Sequence, residues 1–247
     1  MAVMQRLGWF LGGEEGLHAL TEALSLPSER SGFAMAFVHV TDDAALQHMG
    51  AALHLAEQRG VPVIRASENK ATGLPDFDLA VITGDASCPL ASGWPLRRLS
   101  HAPPERNGAT ETEEIWTAMD DRVSAYTIYL LVCLPEGGAA SIATSCRFGL
   151  QGRDWDSLWR QFFIKLKNED MEEIKLMGAE EPLFHHIQSE SRRREVPLLG
   201  LTAKLFEEGM VSIKEGKLMR DGAPLERGLD LSAAVENALL KGEFVVD

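Results

Sequence analysis

An α/β architecture built on a mainly parallel sheet is the fold class this sequence predicts, and three observations predict it. Continuous apolar runs at Leu7–Leu11, Phe33–Val40, Val61–Ile64 and Leu79–Thr83 alternate with stretches whose apolar residues recur at helical spacing. Strands that are apolar throughout, not on alternate residues, belong to a sheet covered on both faces. After Arg122 the pattern changes: two strand-length runs, Tyr126–Leu134 and Ala140–Phe148, flank a glycine-containing turn. Beyond them the pattern is largely helical. The expected fold is therefore Rossmann-like, with a late β-hairpin and a helical C-terminal extension. No internal repeat, low-complexity linker or composition break divides the chain, so residues 1–247 are expected to form a single domain. Residues of about 1–150 would supply the core sheet and its crevice, and about 151–247 the helical extension.

Taken in order, Leu7-Gly8-Trp9-Phe10-Leu11 is a buried strand closed by Gly12-Gly13. Leu17, Leu20, Ala23 and Leu24 form one helical face that ends before Pro27, and Phe33–Val40 is the next strand. Thr41-Asp42-Asp43 is a good helix start, with Leu46, Met49, Leu53 and Ala56 along one side until Gly60. Val61–Ile64 and Leu79–Thr83 are two further buried strands. Right-handed crossovers then place the ligand crevice at the carboxyl ends of the strands. Glu111–Arg122 reads as a helix with Ile115, Trp116 and Met119 near one side. Asp154 begins another, whose Trp155, Leu158, Trp159, Phe162, Phe163 and Leu166 make a wide apolar stripe expected to pack across the sheet. From Gly178 to about Glu208 the chain is helical, a small hairpin follows around Lys214-Glu215-Gly216-Lys217, and a last helix runs from about Asp230.

Charge and composition exclude some functions. With 24 basic and 37 acidic side chains, the formal net charge is −13, which argues against nucleic acid and against an anionic membrane surface as partners. No apolar run approaches the roughly 20 residues of a membrane span. Cys88, Cys133 and Cys146 make no CxxC pair and are odd in number. With no targeting segment in Met1–Leu11, they point to thiols in a reducing cytoplasm.

Several residues stand out as candidates. Gly12-Gly13-Glu14-Glu15-Gly16 opens a helix after the first strand, where backbone N–H groups favour an anion, but its two glutamates already complement the helix dipole. The spacing of a dinucleotide fingerprint is not met. Arg97-Arg98 is expected where the fifth strand ends, as a solvated pair or as a bidentate holder of a carboxylate or phosphate. His101 lies in a loop with Pro103-Pro104, and Glu136 precedes two glycines in the hairpin turn. Arg192-Arg193-Arg194 is read as a solvated face or as ion-pair partners for nearby glutamates. The remaining histidines (His18, His39, His48, His54, His185 and His186) have no metal-ligand spacing, and no metal is expected.

The order of these features resembles the formyltransferase family. Asp78-Leu79-Ala80-Val81-Ile82-Thr83-Gly84-Asp85 is similar to the family's strand before the folate loop. The segment Pro95–Pro104, ending at Gly108, resembles its Asn-x-His-Pro loop. Tyr126–Gly138 resembles the strand that ends in Leu-Asp-Gly-Gly-Pro or Leu-Asp-Arg-Gly-Pro. The tail from Arg194 to Val211 is similar to the closing helix and strand of longer bacterial relatives. The resemblance implies the formyltransferase fold and a one-carbon transfer linked to purine synthesis. In it an amine attacks the formyl carbon of 10-formyltetrahydrofolate, the cosubstrate, while Asn and His donors hold the oxyanion and an Asp orients the His. It implies a small-molecule amine or folate as partner and leaves room for a homodimer. By this resemblance the folate and substrate would lie against Gly84, Cys88, Leu90, Arg97, Arg98, Ser100, Leu134, Gly137 and Gly138.

The chain departs from the family at each catalytic position. The Asn slot holds Arg98 or Leu99, the His slot holds Ser100 or His101, and Glu136 falls in the Asp slot. Tyr129 stands where a strand histidine often sits, and Ala139 replaces the proline after the glycines. Two functions therefore stay open. One is an active formyltransferase using His101 with Glu136; the other is a non-catalytic relative that binds a folate, a nucleotide or a protein.

Overall fold

The computed structural model describes residues 5–12, 16–27, 33–41, 46–65, 74–84, 96–106, 109–133, 140–215 and 217–243. Their main sheet contains β1 (Arg6–Gly12), β2 (Ala34–Val40), β3 (Val63–Arg65), β4 (Leu79–Gly84), β5 (Leu96–Ser100), β6 (Ala125–Cys133), β7 (Ser141–Gly149) and β11 (Leu229–Asp230). Its order is β11-β7-β6-β5-β4-β1-β2-β3. From β3 to β5 all neighbours are parallel. β6 runs antiparallel to both β5 and β7, and β11 adds parallel to β7. The expected α/β fold with its late hairpin is what forms.

Strand alternation gives the sheet two chemically different faces. Trp9 and Leu11 of β1, Val38 and Val40 of β2, Val81 of β4, Leu99 of β5 and Leu130 of β6 point to one face. On that face they meet α1 (Leu17–Ser25), α2 (Gly50–Gln58) and α6 (Pro182–Glu207). Further along, Tyr126, Ile128, Cys146 and Phe148 meet α3 (Glu111–Asp120), α4 (Arg153–Lys165), α6 and α7 (Ser232–Leu240). Phe10, Phe37, Ala80 and Ile82 point to the second face, where Leu74 and Phe77 pack on them. Of the connection from β3 to β4 only residues 74–78 are described, and the connection from β4 to β5 lies outside the described residues.

Local chemistry fixes the elements that matter for the site. Thr110 caps α3: its hydroxyl accepts from the Glu113 N–H at 3.1 Å while the Glu113 carboxylate accepts from the Thr110 N–H at 2.8 Å. Glu111, Glu113 and Glu114 then fall in the first turn, where the dipole favours them. α3 ends sooner than its apolar pattern suggests, because Arg122 takes a left-handed φ of 53°. α6 begins at Pro182, with the Glu181 carboxylate accepting from the Phe184 N–H at 2.7 Å. It runs 26 residues through Pro197 and carries Val196 and Leu199 into the first core and Ile187 and Leu198 into the second.

One expectation is extended and one needs correction. The C-terminal part holds, beside a short α5 (Met171–Lys175), the expected hairpin around Lys214–Lys217 as part of a three-stranded sheet of β8 (Val211–Lys214), β9 (Lys217–Arg220) and β10 (Ala223–Pro224), in the order β10-β9-β8. It also returns β11 to the main sheet. The aromatic stripe of α4 is not wholly core. Phe162 is buried, but Trp159 and Phe163 line a cavity of about 520 Å³ together with Arg122, Arg160 and Lys167. None of the described helices is long and apolar enough to cross a membrane.

Candidate functional site

The expected crevice can be followed along β5. Arg97 and Arg98 do not end this strand, as the sequence suggested, but sit in its middle. Arg97 pairs with Val81 and Val132, and Arg98 with Ile82 and Leu131. Their polarity hides the strand from a reading based on apolar runs. Ser100, the last strand residue, lies opposite Tyr129, and its hydroxyl accepts from the Ala102 N–H at 3.1 Å to start the loop. Gly84 ends β4 beside Gly12 of β1. Cys88, Leu90, Leu134, Glu136, Gly137 and Gly138 lie outside the described residues.

Arg98 belongs to a row across the second face. His39 of β2 pairs with Phe10 of β1, Phe10 with Ile82 of β4, and Ile82 with Arg98 of β5. Paired residues of neighbouring strands point the same way, so two cationic or polar side chains bracket an apolar pair. His39 is 1% exposed, and neither ring nitrogen has a hydrogen-bond partner among the described residues. Both nitrogens are buried, and burial lowers the pKa of the ring toward the neutral form. The Nε of Arg98 is likewise buried without a partner among the described residues. Natural proteins rarely leave such groups unpaired unless something else supplies the partner.

His101 points the other way. It follows Ser100 on the helical face, and its side chain is only 10% exposed, so it is not the open loop histidine the sequence suggested. Its Nε2–H donates to the Glu195 carboxylate of α6 at 2.9 Å, with a Glu111 oxygen of α3 4.0 Å away. Its Nδ1 is 3.4 Å from the Tyr126 hydroxyl of β6. Burial works against a charge on this ring. The hydrogen bond to Glu195 and the charges of Glu111 and Glu195 outweigh it and the opposing Arg192, so the pKa stands above the ordinary histidine value. Glu136 was the expected carboxylate partner; Cys133, the last described residue of β6, pairs with Leu96 at the start of β5, whereas His101 follows the end of β5.

The surroundings of His101 are crowded with charge. Arg192 forks onto Glu111, with its Nη2 2.7 Å from Oε2. Glu114 is paired with Arg106. On α1, Glu22 is near enough to Glu195 that burial, then the Glu195 charge, push its carboxyl up to about 7. Its Oε2 has no hydrogen-bond partner among the described residues, with His18 Nδ1 4.0 Å away. The tyrosine against His101, Tyr126, is held well above its usual pKa by burial and then by the glutamates around it. The arginine run of α6 is mostly paired and not a solvated face: Arg193 meets Glu190, and buried Arg194 meets Glu190 and Glu236 and lies 4.4 Å over the Phe148 ring.

Sequence reasoning missed Glu195, Glu111, Tyr126 and His39. Glu195 is 94 residues from His101, so no local spacing links them. His39 carries one signal, a histidine inside an otherwise apolar strand, and that pattern usually marks a satisfied core residue.

No protein-family model matches the sequence, and no curated protein matches it. Solved structures do. The phosphoribosylglycinamide formyltransferase of Coxiella burnetii is 12% identical, with 92% of this chain and 99% of that one aligned at a TM-score of 0.57. The glycinamide ribonucleotide transformylase 1 of Symbiobacterium toebii is 13% identical over 88% of this chain and 94% of that one, at a TM-score of 0.52. A formyltetrahydrofolate deformylase of Pseudomonas syringae pv. tomato is 14% identical over 89% of this chain and 66% of that one, also at 0.52. At such identities the likeness is one of fold: the chain has the formyltransferase fold, as its resemblance implied.

Proposed function

We propose that this chain is a formyltransferase-fold protein that binds a small anionic ligand of the formyl-folate type at the carboxyl ends of its strands, and that it does not transfer a formyl group through His101. The observation that carries the reading is the alternation along β5. Arg98 shares the second face with Ile82, and Ser100 lies two residues on, on the same side. Leu99 packs in the helical core and His101 hydrogen-bonds into α6.

Set against the family's Asn-x-His, that parity supports reading Arg98 in the Asn slot and Ser100 in the His slot, with Tyr129 opposite. A guanidinium and a hydroxyl replace the two oxyanion donors. Losing one such donor typically costs about two to three orders of magnitude in rate. Arginine instead suits bidentate recognition of a carboxylate. One of the similar structures is a formyltetrahydrofolate deformylase, which supports a formyl-folate as the ligand class. The competing reading, active transfer to an amine by His101 with Glu136, requires His101 to leave a buried carboxylate partner.

The test has two arms. Calorimetry with 5-formyltetrahydrofolate is expected to show binding that weakens at least tenfold in Arg98→Ala. An assay with 10-formyltetrahydrofolate and glycinamide ribonucleotide is expected to show no turnover. Absence of heat at millimolar ligand removes the folate reading. Turnover in wild type that disappears in His101→Ala restores the transferase.

A further inference from the structure

We propose that His101, Glu111 and Glu195 form a buried site for one divalent transition-metal ion, where the end of β5, the first turn of α3 and the middle of α6 meet. The donor atoms of these three side chains all lie within 4.8 Å of one another. Each side chain is at most 10% exposed. Metal–nitrogen and metal–oxygen bonds of about 2.0–2.2 Å need donors only a little closer than that, a contraction within reach of side-chain rotation.

The second ring of contacts is already arranged for such an ion. Arg192 and Gln188 reach Glu111 Oε2 at 2.7 and 3.3 Å, and Oε1, which accepts from Arg192 Nε at 3.2 Å and from Ser191 Oγ at 3.5 Å, lies 4.0 Å from His101 Nε2. The Tyr126 hydroxyl stands against His101 Nδ1, which leaves Nε2 facing the two carboxylates. Metal-ligating carboxylates and imidazoles are commonly oriented by hydrogen bonds of this kind to their other atoms.

Charge supplies an independent argument. Around His101 stand the carboxyls of Glu111, Glu195 and Glu114; the facing guanidiniums are those of Arg192 and Arg106. Three carboxyl groups therefore meet two guanidiniums, before His101 is counted. Uncompensated buried charge is costly, and a divalent cation that takes the place of the His101 Nε2 proton offsets the excess. One imidazole with two carboxylates suits zinc, manganese, iron(II) or cobalt(II), whereas magnesium and calcium favour all-oxygen shells. The ion would staple three elements far apart in sequence. It has no part in the ligand chemistry of the second face, and the inference stands whether or not a folate binds there.

The test uses the full chain, stripped with a chelator and then given Zn²⁺, Mn²⁺, Co²⁺ or Mg²⁺ singly. Wild type is expected to retain one Zn²⁺ or Mn²⁺ per chain through gel filtration and to melt several degrees higher, with no effect of Mg²⁺. Glu195→Gln and His101→Gln, checked for folding by circular dichroism, should bind the same metals at least tenfold more weakly. Retention unchanged in both variants, or no retention and no shift in wild type, overturns the site. If neither variant folds, the Co²⁺ absorption spectrum and histidine NMR of wild type decide it. A cobalt-shifted imidazole supports the site, and its absence leaves a metal-free ion pair instead.

Discussion

Glu22→Gln should stabilise the protein, and the gain should grow with pH. The native Glu22 carboxyl holds its proton to about pH 7, because it is buried and faces Glu195; its ordinary value is 4.5. Between those values the native state keeps a proton that the unfolded chain has released. Stability is therefore lost as pH rises from about 4.5 to 7, and the loss persists above 7. At about 1.36 kcal/mol per pKa unit the full penalty is about 3 kcal/mol. Because 20% of the side chain stays in contact with water, about 1–3 kcal/mol is the expected size. Glutamine has the same shape and no charge to desolvate. Urea unfolding with a chelator present, so that no divalent ion masks Glu195, should show the variant more stable by this amount at pH 8. The gain should be clearly smaller at pH 5. Equal effects at the two pH values, or a loss at pH 8, would refute the view that Glu22 and Glu195 form a strained carboxylate pair.

Other expectations follow from packing and burial. Gly16→Ala should cost about 2–4 kcal/mol, the sum of left-handed strain and overpacking. Gly16 has a φ of 82°, and a Cβ there would meet Thr83 Cβ at 2.2 Å and displace the Thr83 hydroxyl from Trp9 Nε1. A urea midpoint within experimental error of wild type would contradict that contact. The Cys146 thiol, pushed up to about 12 by burial and then by Glu236 and Asp230 against the opposing Arg194, should react with a thiol reagent at pH 8 roughly three orders of magnitude more slowly than a free cysteine. The measurement needs Cys88→Ser and Cys133→Ser, and rapid labelling under native conditions would count against it.

The fold was legible because β1, β2 and β4 are apolar on both sides, and α1 and α3 carry their faces at helical spacing. β5 was harder. Two arginines occupy its centre, so the apolar signal vanishes where hydrogen bonds to β4 and β6 hold the strand. The three-stranded sheet was seen only as its turn, since Val211–Lys214 and Lys217–Arg220 are four residues each and half of them polar. For the site, the sequence singled out His101 but not its environment. A parity argument needs the strand's register, and the partners of His101 come from α3, β6 and α6. No spacing rule connects residues joined only by the packing of a helix across a sheet.

That packing bears on whether His101 is free to act at the ligand crevice. Strand alternation gives each residue one face, and a one-residue difference separates Ser100 from His101. For His101 to serve the second face, the end of β5 would have to slip by a residue, or the ring would have to leave Glu195 and Glu111. Slippage would move Leu99 out of the core and Arg98 into it, against Val81 and Leu130. Departure would strand a carboxylate that is 5% exposed, and removing one partner of a buried ion pair commonly costs about 3–5 kcal/mol. Both routes use up a large share of the roughly 5–15 kcal/mol that stabilises a folded chain. On the proposed reading the chemistry of the crevice is therefore left to Arg98, Ser100 and Tyr129, while the hydrogen bond of His101 to Glu195 ties α6 to the sheet.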